Sequence, residues 1–206
     1  MVQLANRRPL AARLILMLLA MAILVLGYQW GNQYQRRHAE PPTISGVLLR
    51  PPLAAPEFAL EDALGRPFDR ARLGADWTLL AFGSLADASG QRALQRLIET
   101  RNRLADRPAI AGALRLVLID GGADRARARD FSRLSPALDI VSGPPEARAP
   151  LAALGDDTDA GSTPILVFAP GARLLAILPG TAAGATLAAD LAALHAAAPA
   201  LLAETP

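Results

Sequence analysis

Few side chains in this chain are suited to chemistry, and they are poorly spaced for it. There is no cysteine, only two histidines (His38 and His195), and all three methionines lie within the first 21 positions. Without cysteine there are no disulfides, no thiol nucleophile and no thiolate metal site. A soft-metal site drawn from Cys, His and Met is nearly unbuildable within one folded domain. Carboxylates remain. Asp87 sits in the turn Leu85–Gln91, between an apolar run and a helical pattern. It could act as a general base or hard-metal ligand, but no His, Cys or second carboxylate neighbours it, and such work needs partners. It reads as a solvated acid, favourable near a helix N-terminus. Asp156, Asp157 and Asp159 form an acidic loop without the spacing of a calcium loop. Arg125, Arg129 and Arg133 share one helix face. That face reads as solvated, near Asp124 and Asp130, with anionic lipid or an acidic partner as the alternative. Gly121-Gly122 lacks the further glycine and lysine of a nucleotide loop. His195 reads as a packing or surface histidine. No catalytic, cofactor-binding or metal-ligating residue is assigned, no cofactor is expected, and the chain is expected not to be an enzyme.

The elements that must position these residues are legible. Trp77–Phe82 is a short run of bulky apolar residues, as in a strand buried on both faces. Gly83 and Ser84 break it, Ser89 stands where a helix N-cap belongs, and Leu94, Leu97 and Ile98 follow at helical spacing. Arg96, Glu99 and Arg103 can pair along that helix. Glu57–Leu60 and Pro67–Asp69 read as a small hairpin around Asp62–Arg66. Leu114–Asp120 is the next buried strand, Asp124–Leu134 a helix, Leu138–Val141 a strand and Pro145–Leu154 a short helix. Pro164–Phe168 and Ala172–Leu178 form a hairpin around Pro170-Gly171. Thr181–Ala198 closes as a helix with Leu187, Leu191 and Leu194 on one face. This order fits an α/β thioredoxin-like sandwich, a central mixed sheet flanked by helices.

One transmembrane helix is expected before it. No charge occurs between Arg13 and Arg36, long enough at about 1.5 Å per residue to cross a hydrocarbon core of about 30 Å. Tyr28, Trp30 and Tyr34 supply interfacial aromatics. Residues 1–35 are expected to be a cytoplasmic tail and signal anchor, 36–56 a proline-containing tether whose Ile44–Leu49 segment can pack on the domain, and 57–206 the folded domain. The alternative is a signal peptide cleaved at Ala20-Met21-Ala22, although the apolar run continues past that point. A short tail and a single span place the domain outside the cytoplasm, facing the periplasm from a bacterial inner membrane. The formal charge of +2 misleads, because residues 39–206 hold 16 arginines against 19 acids, a net charge of −3. Nucleic acid is therefore not an expected partner.

Several stretches resemble the Sco/SenC family, membrane-anchored thioredoxin-fold proteins that help mature the copper centre of cytochrome c oxidase. Gly46–Leu49 followed by prolines is similar to that family's lead-in. Pro56–Leu60 with Gly65–Phe68 resembles its first hairpin, Trp77–Gly83 its strand ending in Phe-Gly, Asp120–Asp124 its Asp-rich turn, and Pro170–Leu174 its last hairpin. The family's two copper-binding cysteines would fall near Asp87 and Gln91, and its histidine near Gly161; all three ligands are absent. The resemblance implies a scaffold without the copper or redox residues, with respiratory oxidase subunits or assembly factors as partners. Thr163-Pro164 is similar to the cis-proline of thioredoxins, and a cis bond there would mark a groove open to peptide binding, although many X-Pro pairs start strands in trans. Two other readings stay open: Asp87-centred hydrolysis or weak metal transport on the same fold, and an envelope interaction module unrelated to respiration.

Overall fold

In the computed structural model the residues described are 8–37, 41–122, 124–155 and 163–203. They fall into two compact units, Met1–Pro41 and Pro42–Pro206. The first unit carries helix α1 (Arg8–Arg37). Within it, Ala12–Trp30 is a candidate transmembrane span, 19 residues long with a mean hydropathy of 2.0 and none of it buried. Leu14, Met17, Leu18, Met21 and Leu24 stand exposed around it, an apolar surface of the kind a bilayer-spanning helix requires.

The second unit is built on one eight-stranded mixed sheet. Its strands are β1 (Val47–Ala54), β2 (Ala59–Asp62), β3 (Pro67–Asp69), β4 (Trp77–Gly83), β5 (Leu114–Asp120), β6 (Leu138–Ser142), β7 (Ile165–Ala169) and β8 (Arg173–Leu178). Their order is β1-β8-β7-β4-β5-β6-β2-β3. β4, β5 and β6 are parallel; the remaining pairings are antiparallel. Parallel neighbours need crossovers. Helices α3 (Ala88–Arg103) and α4 (Pro108–Ala111) lie between β4 and β5, and α5 (Arg125–Leu134) lies between β5 and β6. One face of the sheet packs Leu94 and Leu97 of α3, Ala128 of α5, and Leu187, Leu191 and Leu194 of α7 (Gly184–Ala203). The other face packs Phe68, Leu73 of α2 (Arg70–Leu73) and Leu151 of α6 (Pro145–Ala152). Layers on both sides explain why β4 and β7 are apolar runs, whereas β2 alternates exposed and buried.

Two local readings change and one open question is answered. The segment expected as a tether contributes β1, which pairs with β8 at the sheet edge. Pro51 and Pro52 fall where that register shifts, between Leu48 and Leu53, a place where a missing N–H is tolerated. Ser89 is not the cap of α3; Asp87 is, and its side chain makes no capping bond. The Thr163-Pro164 bond is not cis; the cis bond among the described residues is Arg50-Pro51.

The lead-in to β1 is fastened to α7. The buried Asp190 carboxylate accepts hydrogen bonds from the Ser45 backbone N–H, at 3.2 Å, and from the Ser45 hydroxyl. Ser45→Ala removes one donor from a buried carboxylate and is expected to cost about 1–2 kcal/mol. Urea unfolding checks this, and an unchanged midpoint would remove the fastening.

Candidate functional site

The carboxyl end of β4 hands over to α3 through Ser84–Asp87, and backbone contact dictates its shape. Gly90, in the first turn of α3, is buried against Ser84. A Cβ at Gly83 would lie 2.6 Å from the Gly90 Cα. Only glycines let helix and strand meet this closely.

The backbone N–H groups of Leu85, Ala86 and Asp87 all find partners within the fold. The Asp87 N–H donates to the Ser84 carbonyl at 3.0 Å. The Ala86 N–H donates to the Ser84 Oγ at 3.2 Å. The Leu85 N–H donates to Asp120 Oδ1 at 3.2 Å, and the Gly122 N–H donates to the same oxygen at 2.8 Å. Asp120 is 4% exposed and ends β5, so one carboxylate fastens the exits of two neighbouring strands. The Leu85 carbonyl accepts from Gln91 Nε2 at 3.1 Å and from Arg127 Nη1 at 3.3 Å. Arg127 is itself held by Asp124, whose Oδ2 lies 3.4 Å from its Nε. Asp124 also caps α5 through the Arg127 N–H. The result is a turn closed along its backbone, with the exposed Asp87 carboxylate left and, among the described residues, no further His, Cys, Asp or Glu pair to hold a metal with it.

The residues singled out in the sequence do not converge. Asp87 is exposed at the start of α3. His195 packs on Trp77, with ring centroids 5.3 Å apart. Arg125, Arg129 and Arg133 are exposed along α5, and Arg129 Nε donates to the Ala63 carbonyl at 3.2 Å. His38, Asp156, Asp157, Asp159 and Gly161 lie outside the described residues. Among the described residues no three His, Cys, Asp or Glu side chains could hold a metal together. Sequence reasoning missed the fastening roles of Asp120, Gln91 and Arg127. Asp120 had a signal, an acid ending a buried strand; Gln91 and Arg127 had none.

A second polar cluster lies on the other face, at the hairpin end of the sheet. Asp62 and Asp139 are buried, at 5% and 3% exposure. Arg72 bridges them, 3.0 Å from Asp62 and 2.8 Å from Asp139. Arg66 Nε lies 2.6 Å from Asp62. Arg115 joins Asp139 at 3.0 Å and Asp76 at 3.2 Å. Every charge is answered, so this cluster holds the β2–β3 hairpin to the sheet rather than presenting a reactive group.

The sequence matches no family model and no curated protein. Solved structures do match. The apo Sco1 protein of Thermus thermophilus is 22% identical, with 74% of this chain and 98% of that chain covered and a TM-score of 0.58. Copper-bound ScoI of Bradyrhizobium japonicum is 18% identical, with 68% and 98% covered and a TM-score of 0.53. BsSco, described as a member of the Sco family of cytochrome c oxidase assembly proteins, is 10% identical, with 71% and 96% covered and a TM-score of 0.52. At these identities the likeness is one of fold, and the thioredoxin-like sandwich is shared over nearly the whole length of each neighbour.

Proposed function

We propose that this chain is a non-catalytic, membrane-tethered binding or scaffolding factor for respiratory oxidase assembly. Its folded domain stands on the periplasmic side of a bacterial inner membrane. The observation that carries the reading is the pairing of a Sco-like sandwich with a closed turn. The turn holds no sulfur, and the Gln91 amide is spent on the Leu85 carbonyl. Copper does not fit this donor set: a lone Asp87 carboxylate is a hard ligand, and copper(I) selects thiolate, thioether or imidazole. No metal step is therefore assigned. A rigid sandwich still presents faces to a partner, and fold alone does not fix which.

The test is affinity capture of the tagged full-length protein from native membranes after mild crosslinking, read by mass spectrometry. Enrichment of oxidase subunits or their assembly factors is expected, and Asp87→Ala leaves it unchanged. Recovery of only unrelated envelope proteins would sink the oxidase role.

A further inference from the structure

At the carboxyl ends of β5 and β6 the surface opens into a cavity of about 640 Å³. That size suits a small ligand, and in sheets with parallel strands the crevice beyond the strand ends is where ligands sit. The cavity is bounded by the β2–β3 hairpin, by Gly122, and by Ser142–Pro144 where β6 ends. Ala59, Pro67 and Pro144 give carbon walls, and three polar side chains, Glu61, Arg125 and Ser142, line it. Glu61 lies opposite Ser142 in the β2–β6 pairing, so both side chains leave the sheet on the same face. Arg125 opens α5.

The charges of this region divide into two kinds. Asp62 is answered by Arg66 and Arg72, Asp120 by two backbone N–H groups, and Asp124 by Arg127. Arg129 is tied to the Ala63 carbonyl. Among the described residues, the side chains of Glu61 and Arg125 have neither ion-pair nor hydrogen-bond partners. One carboxylate and one guanidinium thus line the same cavity without pairing with each other.

We propose that the cavity binds a small dipolar ligand carrying a protonated amine and an acidic group. The amine meets Glu61 and the Ser142 hydroxyl, the acid meets the Arg125 guanidinium, and the carbon between them lies on the prolines. Two sources share this chemistry, a free amino acid or short peptide and an ethanolamine phosphate headgroup. This site adjoins the turn through Gly122 and does not rest on the oxidase reading.

Isothermal titration of the full-length protein in detergent tests it with two probes, alanyl-alanine and glycerophosphoethanolamine. Binding of at least one is expected, and which one binds identifies the source. Glu61→Gln and Arg125→Gln should each weaken that binding by about ten-fold or more, a difference of about 1.4 kcal/mol, while Arg92→Gln on α3 leaves it unchanged. Both sites are exposed, so unchanged melting temperatures should show that the variants fold; Arg125→Lys, which keeps the charge, serves if Arg125→Gln does not. N-acetylation of the dipeptide, or loss of the ethanolamine amine, should abolish binding. No heat with either probe, or binding indifferent to the amine or to both variants, would overturn the proposal.

Discussion

Gly90→Ala is expected to destabilise the folded domain by about 3 kcal/mol, the upper end of ordinary overpacking. The reason is what the new methyl group meets. At Gly90 it overlaps the carbonyl oxygen of Ser84, and the reciprocal change at Gly83 puts it 2.6 Å from the Gly90 Cα. Both obstacles are backbone, so no side-chain rotation relieves them. Helix α3 would have to withdraw from the end of β4. Withdrawal pulls Gln91 away from the Leu85 carbonyl and loosens Leu94 and Leu97 in the core behind it. Ser89→Ala, one residue earlier and exposed, is the control. It should change stability by no more than about 0.5 kcal/mol, whereas loss of a genuine serine cap would cost about 1 kcal/mol. Urea unfolding of both variants, followed by fluorescence, separates the two. Equal midpoints for Gly90→Ala and the parent chain would mean that the close approach is not structural.

That contrast shows what the sequence can and cannot carry. The strand Trp77–Phe82 and the helix after it were legible because apolar spacing reports burial directly. The same holds for Leu114–Asp120, the Pro170-Gly171 hairpin and the closing helix. Ser89 misled because a serine before a helical pattern satisfies the local rule for a cap, while the approach of Gly90 to Ser84 is a tertiary fact. β1 was hidden for a similar reason. Its prolines argue against a strand until the neighbour β8 shows that they fall where the edge register shifts. At the candidate site the absences were legible, since a chain without cysteine cannot place one. The bonds that close the turn were not. Arg127 lies 42 positions from the Leu85 carbonyl it binds, and no spacing rule connects them. Arg72 and Asp139 are likewise 67 positions apart.

Asp139→Ala is expected to cost about 2–3 kcal/mol. Breaking a buried ion pair by removing one partner typically costs about 3–5 kcal/mol. The lower figure applies because the side chains of Arg72 and Arg115 are 22% and 27% exposed and keep Asp62 and Asp76 as partners, with solvent screening the remainder. The pH dependence comes from Asp62. Burial alone would raise its pKa. That effect is outweighed by hydrogen bonds from the Arg66 N–H and guanidinium and from Arg72, which hold the carboxyl below its ordinary value. A pKa lower in the folded than in the unfolded chain stabilises the fold fully above the unfolded carboxylate value of about 4, and the stabilisation fades as the pH falls through the folded value. Asp62→Asn should therefore be less stable than the parent chain at neutral pH and approach it as the pH drops below about 4. Urea midpoints for both proteins across that range decide the matter. A gap that stays constant from neutral to acid pH would show that Asp62 holds the hairpin by shape and hydrogen bonding alone, with its charge contributing nothing.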